Sequence, residues 1–197
     1  LSEEFLLVTH HPVTLEYEDV TWQVKELLCA LEKLNIQTIF TMPNSDGGGH
    51  TIRELSSQYD KHAASSQIVE NLGTKGYFSL MSHASAMVGN SSSGLVEAPS
   101  FKLPAVNIGN RQKGKVRCSN VIDVGYHNNE IYAGIQTAVS PEFNEKTQSV
   151  INLYGDGQAA GRIVSVLKNI TLNQKLLIKS FVDHVFEFEL EPLNSTR

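Results

Sequence analysis

Short apolar runs alternate with helix-periodic segments along most of this chain. Six runs have the length and composition of buried strands, at residues 5–9, 38–41, 67–69, 86–88, 104–108 and 120–124. Between and after them, the sequence predicts helices over residues 24–34, 50–62, 77–84, 95–101 and 128–139. Strands that alternate with helices predict an open, mainly parallel α/β sheet.

The pattern changes after the last of these helices. Two more helices are predicted over residues 157–170 and 174–184, and the acidic tail 187–197 is predicted to be poorly ordered. We therefore predict one domain over residues 1–170, followed by a C-terminal helix and tail over 171–197. The chain starts with Leu1 and runs almost at once into a strand, which suggests a fragment or an isolated domain.

The most informative segment is 89–97 (GNSSSGLVE), which follows a predicted strand and opens a predicted helix. Such a turn leaves backbone N–H groups without partners, and the helix dipole adds positive charge there, so it attracts phosphate. The hydroxyls of Ser91 and Ser92 can donate as well, and the Glu97 carboxylate can accept from a sugar diol. The alternative is an ordinary N-cap, because serine is common at helix starts.

The topology predicts where a ligand would bind. In open parallel sheets, ligands bind at the carboxyl ends of the strands. The loops that contain His11, Asn44, Ser91 and Arg111 all follow predicted strands. We therefore expect them to share one rim of the sheet, which favours a nucleotide over a simple cap.

Composition excludes several classes of function. A formal charge of −5 argues against a general nucleic-acid binder, which needs concentrated Lys and Arg. No apolar run is long enough to span a membrane, and the acidic N-terminal residues do not form a signal peptide, so we expect a cytoplasmic protein with no membrane partner. The two cysteines, Cys29 and Cys118, make neither a disulfide framework nor a metal site.

One motif match is rejected. Residues 155–160 (GDGQAA) fit the dinucleotide fingerprint, but they follow the last predicted strand instead of the first. No acidic residue stands at the expected distance, since Asp183 is too far along the chain. We interpret the segment as a helix start and predict no cofactor.

Four loops together resemble a known family. They are segments 10–14 (HHPVT), 43–46 (PNSD), 89–97 (GNSSSGLVE) and 107–115 (NIGNRQKGK), and segment 154–157 (YGDG) also matches. In this order and spacing they resemble the C-terminal half of hydrolysing UDP-N-acetylglucosamine 2-epimerases, most nearly the sialic-acid-pathway branch. The resemblance covers about residues 5–167. It implies a Rossmann-like domain that forms one half of a GT-B architecture, with UDP or a UDP-sugar as ligand.

The resemblance also implies roles for individual residues. Ser91 and Ser92 would hold the diphosphate and Glu97 the ribose hydroxyls. Arg111 would approach the phosphates from the next loop, although a solvated basic loop is the alternative. Tyr77 matches a position near uracil, or it is a core residue. His11 matches a histidine that faces the cleft near the diphosphate and sugar and would act in catalysis, or it only orients the turn before Pro12.

The implied reaction is anti elimination of UDP to a 2-acetamidoglucal, followed by hydration that yields N-acetylmannosamine. The acid–base carboxylates of the family belong to an N-terminal domain absent from this sequence, so the resemblance implies an inactive isolated chain and a homodimer at full length. Two rival functions are a glycosyltransferase donor-binding domain and a non-catalytic nucleotide-sugar-binding module. Related enzymes act on bacillosamine-type sugars, so the sequence leaves the sugar open.

Overall fold

A parallel sheet organises the chain, in a computed structural model that describes residues 4–34, 36–43, 47–63 and 65–178. The strands are, in chain order, β1 (Phe5–Thr9), β2 (Gln37–Thr41), β3 (Ser66–Val69), β4 (Ala86–Gly89), β5 (Ala105–Ile108) and β6 (Val121–Val124). They pair in the order β3-β2-β1-β4-β5-β6, and every pairing is parallel. The six predicted strands are thereby confirmed.

Helices cover both faces of this sheet. The α-helices are α1 (Val20–Glu32), α2 (Gly49–His62), α3 (Gly73–Met81), α4 (Ser93–Val96), α5 (Asn128–Ala138), α6 (Pro141–Gln148), α7 (Ala159–Asn169) and α8 (Gln174–Leu177). Leu6 and Val8 of β1 pack in one core cluster with α1, α2 and α5. The alternate residues Phe5 and Leu7 pack in a second cluster with α3 and with Ala98 and Phe101, which follow α4. Period-two alternation along one central strand therefore supplies both cores.

The predicted and observed helices differ at several points. The helix predicted over 95–101 is wrong: α4 ends at Val96, and a 3-10 helix follows at Ala98–Phe101. Pro99 is the cause, because it has no N–H to donate back along an α-helix. The helix predicted over 77–84 is α3, which starts and ends earlier. The sequence reading missed α6 and the 3-10 helix Thr14–Asp19; α6 buries only Thr147 and so shows no apolar stripe.

The chain divides into two compact units between Asp156 and Gly157. The sheet lies in the first unit, and α7 and α8 lie in the second. Helix α8 ends at Leu177 before an extended Ile178, so the helix predicted over 174–184 is shorter than expected. Residues 179–197, with most of the predicted tail, lie outside the described part, and the division into 1–170 and 171–197 stays a prediction. Among described residues, no helix has the length and apolar character to cross a membrane.

The strand order creates one crevice. From β1 the chain adds β2 and β3 on one side, then returns to place β4 on the other side. Loops that leave the carboxyl ends of β1 and β4 therefore diverge, which is where open α/β sheets bind ligands.

Candidate functional site

The turn after β4 starts with a glycine that no other residue can replace without strain. Gly89 has φ +135°, and a Cβ built on it would lie 2.0 Å from the carbonyl oxygen of Thr9. Strand β4 therefore lies against the end of β1 at van der Waals distance. The next residue, Asn90, is completely buried, and its backbone N–H donates to the same Thr9 carbonyl at 3.2 Å.

Asn90 joins three of the predicted loops. Its side-chain Oδ1 accepts a hydrogen bond from the backbone N–H of His11 at 2.7 Å, and its Nδ2 donates to the His11 carbonyl at 2.7 Å. Its own backbone carbonyl accepts from Arg111 Nη1 at 3.2 Å and from Gln112 Nε2 at 2.8 Å. The structure thus brings the loops of His11, Ser91 and Arg111 together. This was expected because each loop follows the carboxyl end of a predicted parallel strand. Sequence reasoning gave Asn90 and Gln112 no role.

The serine turn combines a cap with open donors. Ser91 Oγ accepts from the N–H of Ser93 at 3.3 Å, which is the capping alternative. The Ser92 side chain makes no cap hydrogen bond. No acceptor among the described residues pairs with the backbone N–H groups of Ser91 and Ser92. Two adjacent N–H groups and the Ser92 hydroxyl can therefore donate hydrogen bonds to an anion.

Glu97 lies where α4 gives way to the 3-10 helix, and its carboxylate is not used by the fold. The Oε2 atom is buried and has no hydrogen-bond partner among the described residues. Other atoms of Glu97 line a cavity of about 430 Å³ together with Tyr77, Ser93, Asn71 and Thr74. A buried carboxylate oxygen costs free energy unless a donor satisfies it. The Glu97 side chain at this cavity is an acceptor suited to a hydroxylated ligand.

Tyr77 forms part of the same cavity wall. It lies on α3, is partly buried, and packs against the core cluster that contains Met81 and Met87. Its hydroxyl is 4.0 Å from Met87 Sδ, which is at best a weak contact. The position is compatible with both of the roles considered for Tyr77, because the ring packs in the core and also borders the cavity.

A basic side chain lies at the Asn90 side of the site. Arg111 is partly buried beside the Asn90 carbonyl, and the neighbouring His10 is buried. Burial, followed by the nearby His11 and Arg111, lowers the pKa of His10 to about 4. His10 is therefore neutral at physiological pH, whereas Arg111 is a cation beside the Asn90 carbonyl. The described residues contain no group of three or more His, Cys, Asp or Glu that could hold a metal ion.

The predicted site residues thus fall into two adjoining groups. His11, Ser91 and Arg111 surround Asn90, whereas Tyr77 and Glu97 line the 430 Å³ cavity. Segment 91–97 connects the two groups, and Ser93 of α4, which the sequence reading left without a role, lines the cavity too. The loop 44–46 lies outside the described residues. A cationic group with free N–H donors next to a carboxylate cavity matches the two ends of a nucleoside diphosphate.

Comparisons with known proteins point to one family. The sequence model of the family described as UDP-N-acetylglucosamine 2-epimerase matches residues 1–168. The chain is 39% identical over 186 residues to the GDP/UDP-N,N'-diacetylbacillosamine 2-epimerase (hydrolyzing) of Campylobacter jejuni, covering 93% of this chain and 48% of the relative. It is 36% identical over 178 residues to the UDP-N,N'-diacetylbacillosamine 2-epimerase (hydrolyzing) of Legionella pneumophila, covering 90% and 46%.

A solved structure shares the fold. The UDP-GlcNAc 2-epimerase of Methanocaldococcus jannaschii, in complex with UDP-GlcNAc and UDP, superposes with a TM-score of 0.66 and 16% identity, covering 84% of this chain and 45% of that one. This likeness confirms the predicted fold class, a Rossmann-like α/β domain of the kind found in one half of a GT-B architecture. The chain spans about half the length of the curated relatives it matches.

Proposed function

This chain belongs to the UDP-N-acetylglucosamine 2-epimerase family, and from that membership we propose that it forms the nucleotide-binding wall of a hydrolysing UDP-sugar 2-epimerase. The observation that carries the proposal is the position of Glu97, an acidic residue whose Oε2 has no hydrogen-bond partner among the described residues and which lines a cavity directly after the serine turn. In this proposal the ribose diol occupies the cavity and pairs with the Glu97 carboxylate, and the diphosphate extends toward the serine turn.

Each part of UDP has a matching group in this proposal. The N–H groups of Ser91 and Ser92 bind the diphosphate, with Arg111 adding a planar cation suited to phosphate oxygens. Glu97 accepts from the ribose hydroxyls, and Tyr77 borders the space left for uracil. The proposal is supported by segment 91–97, which connects the serine turn to the cavity that Ser93, Glu97 and Tyr77 line.

The proposed reaction breaks the bond between the sugar and UDP. A base removes the proton at C2, UDP leaves from C1 by anti elimination, and water then adds to the resulting glucal with inverted configuration at C2. His11, at the carboxyl end of β1, donates a proton or hydrogen bond to the departing phosphate. We assign the base at C2 to residues outside these 197, because the curated relatives are about twice as long.

The sugar is proposed only by class, as a UDP-linked 2-acetamido sugar. UDP-N-acetylglucosamine, with N-acetylmannosamine as product, is the substrate that the loop motifs suggest. The names of the two curated relatives instead refer to diacetylbacillosamine, which favours a substrate of that type. Assaying both nucleotide sugars with the full-length protein decides between them, and the sialic-acid branch stays a prediction until then.

Product analysis separates this proposal from its rivals. A hydrolysing epimerase releases free epimerised sugar and UDP without an acceptor. A glycosyltransferase would need an acceptor and keep the sugar bonded to it, and a non-catalytic module would leave the nucleotide sugar intact. The family match favours the first outcome.

Removing the Glu97 carboxylate should weaken UDP binding. We expect Glu97→Ala to lose about ten- to hundredfold in affinity, or roughly 1.5–3 kcal/mol, because charge-assisted hydrogen bonds to ribose disappear. Titration calorimetry or NMR titration of the 197-residue chain measures this, with wild-type dissociation constants of about 0.1–10 mM expected for a half-enclosed ligand. Glu145→Ala, at an exposed glutamate of α6, is the control. Equal UDP affinities for Glu97→Ala and wild type would remove Glu97 from the site.

Arg111 should discriminate between UDP and uridine. Arg111→Ala should weaken UDP binding by about tenfold or more while leaving uridine binding nearly unchanged, since the guanidinium faces phosphate. Added salt should shrink the difference between wild type and variant. Lys115→Ala removes the same charge from an exposed position of the same loop and serves as the control. If uridine binding fell as much as UDP binding, Arg111 would act on the base or on the loop's structure.

A further inference from the structure

We propose that Glu16 is a positioning residue that holds the Arg111 loop in its diphosphate-binding arrangement, acting through Asn110 and Tyr126. This inference rests on the proposed function. Glu16 lies in the 3-10 helix Thr14–Asp19, five residues after His11, and none of the loop resemblances assigned it a role. Its backbone angles, φ −122° and ψ 29°, depart from helical values inside that helix.

The Glu16 carboxylate accepts three hydrogen bonds from three separate segments. Gln23 of α1 donates from Nε2 to Oε2 at 2.8 Å, and Asn110 donates from Nδ2 to Oε1 at 3.2 Å. The Tyr126 hydroxyl donates to Oε2. One side chain therefore links the loop after β1 to the loop after β5 and to the turn after β6.

Tyr126 completes the attachment of Asn110. Its hydroxyl oxygen accepts a hydrogen bond from the backbone N–H of Asn110 at 3.2 Å, and the same hydroxyl donates a hydrogen bond to Glu16. Asn110 is therefore held by both its backbone and its side chain. The preceding Gly109, at φ +70°, makes this approach possible, because a Cβ there would lie 2.0 Å from Tyr126 Cζ.

The protonation states of the pair favour these donor and acceptor roles. Burial tends to raise the pKa of Glu16, but the hydrogen bonds from Tyr126, Asn110 and Gln23 together lower it below its ordinary value. Burial and then the bond to Glu16 raise the pKa of Tyr126 to about 12, and Asp19 adds a further negative charge nearby. Glu16 is thus a carboxylate and Tyr126 a phenol throughout the neutral range.

The loop is anchored on both sides of Arg111. Toward the turn after β4, the side chains of Arg111 and Gln112 donate to the Asn90 carbonyl. The preceding residue, Asn110, forms the second anchor through its hydrogen bonds with Glu16 and Tyr126. A guanidinium fixed before binding loses less conformational freedom when it meets a phosphate. Losing the anchor at Asn110 should therefore weaken phosphate binding without removing any group that touches the ligand.

A double-variant cycle tests the inference. UDP and uridine affinities are measured for wild type, Glu16→Ala, Arg111→Ala and the double variant. We expect Glu16→Ala to weaken UDP binding about three- to tenfold, to spare uridine binding, and to cause no further loss once Arg111 is alanine. Tyr126→Phe, which removes only the hydroxyl, should reproduce the effect in part. Glu26→Ala is the matched control, because the Glu26 carboxylate accepts hydrogen bonds from Asn128, two residues after Tyr126, and none from the Arg111 loop among the described residues.

Amide hydrogen exchange of residues 109–115 supplies a readout that needs no ligand. Exchange should accelerate in Glu16→Ala and Tyr126→Phe but not in Glu26→Ala. Additive losses of UDP affinity in the double variant, or unchanged hydrogen exchange in residues 109–115, would overturn the inference about Glu16. Either result would leave the proposed function standing. A wild-type chain that does not bind UDP, or an Arg111→Ala variant that binds it normally, would overturn the proposed function and with it the role of Glu16.

Discussion

Replacing His11 with alanine in the full-length protein should lower the rate of UDP release by about 10²- to 10⁴-fold, the usual contribution of a positioned acid–base group. The departing diphosphate carries charge that a proton or hydrogen bond from the imidazole would stabilise. The fold should survive, because Asn90 binds His11 through its backbone N–H and carbonyl, and alanine keeps both groups. The melting temperature should therefore stay close to that of wild type.

Chromatographic detection of UDP and thermal denaturation together test this expectation. His83→Ala is the control, since His83 is exposed after α3 and bonds to Ser79 and Ser82 of its own segment. Full activity in His11→Ala would contradict the catalytic assignment. A large fall in melting temperature would instead favour the alternative in which His11 only orients the turn before Pro12.

Substituting alanine for Gly89 should destabilise the domain by about 4 kcal/mol or more, which is exceptional for one methyl group. Two causes combine at this position. The backbone has φ +135°, which L side chains rarely adopt, and the new Cβ would lie 2.0 Å from the Thr9 carbonyl oxygen. Relief would require the carboxyl ends of β1 and β4 to separate, which would also displace Asn90. UDP binding should be lost with the fold.

Urea denaturation of the 197-residue chain measures the free energy of unfolding for this variant. Gly114→Ala separates the two causes, because Gly114 also has positive φ, but a Cβ added there would meet no atom within 4 Å. That control should lose only about 1–2 kcal/mol, the cost of the left-handed backbone. Similar losses at both glycines would show that the close approach of β4 to Thr9 is unimportant for stability.

The core elements were predictable because their patterns are local. Buried parallel strands appear as short apolar runs, and α1 and α5 appear as stripes of helical spacing, so composition and periodicity locate them. The errors are local as well. Helix α6 buries only Thr147 and has no stripe to detect, whereas the break after Val96 follows from Pro99, a signal that the sequence contained and the prediction did not use.

The candidate site was predictable only in part. Because the carboxyl ends of parallel strands share one edge, the sequence placed His11, Ser91 and Arg111 on a common rim, and the hydrogen bonds to Asn90 bring them together. The cavity beside Glu97 was not predictable, since its walls come from α3, the loop after β3 and α4. Its volume depends on how these elements pack, and no sequence spacing encodes that.

The order of residues was enough to predict the fold class and the edge of the sheet at which the loops of the candidate site meet. Which polar groups hold others in place emerged only from the packing of the whole chain. Asn90 bonds to His11 across 79 residues, and Tyr126 bonds to Glu16 across 110. Such pairs depend on strand order, because β4 returns to lie beside β1 and the turn after β6 reaches the loop that follows β1. Local periodicity reports which face of an element is buried, but hydrogen bonds between distant segments exist only after the sheet has brought them within reach.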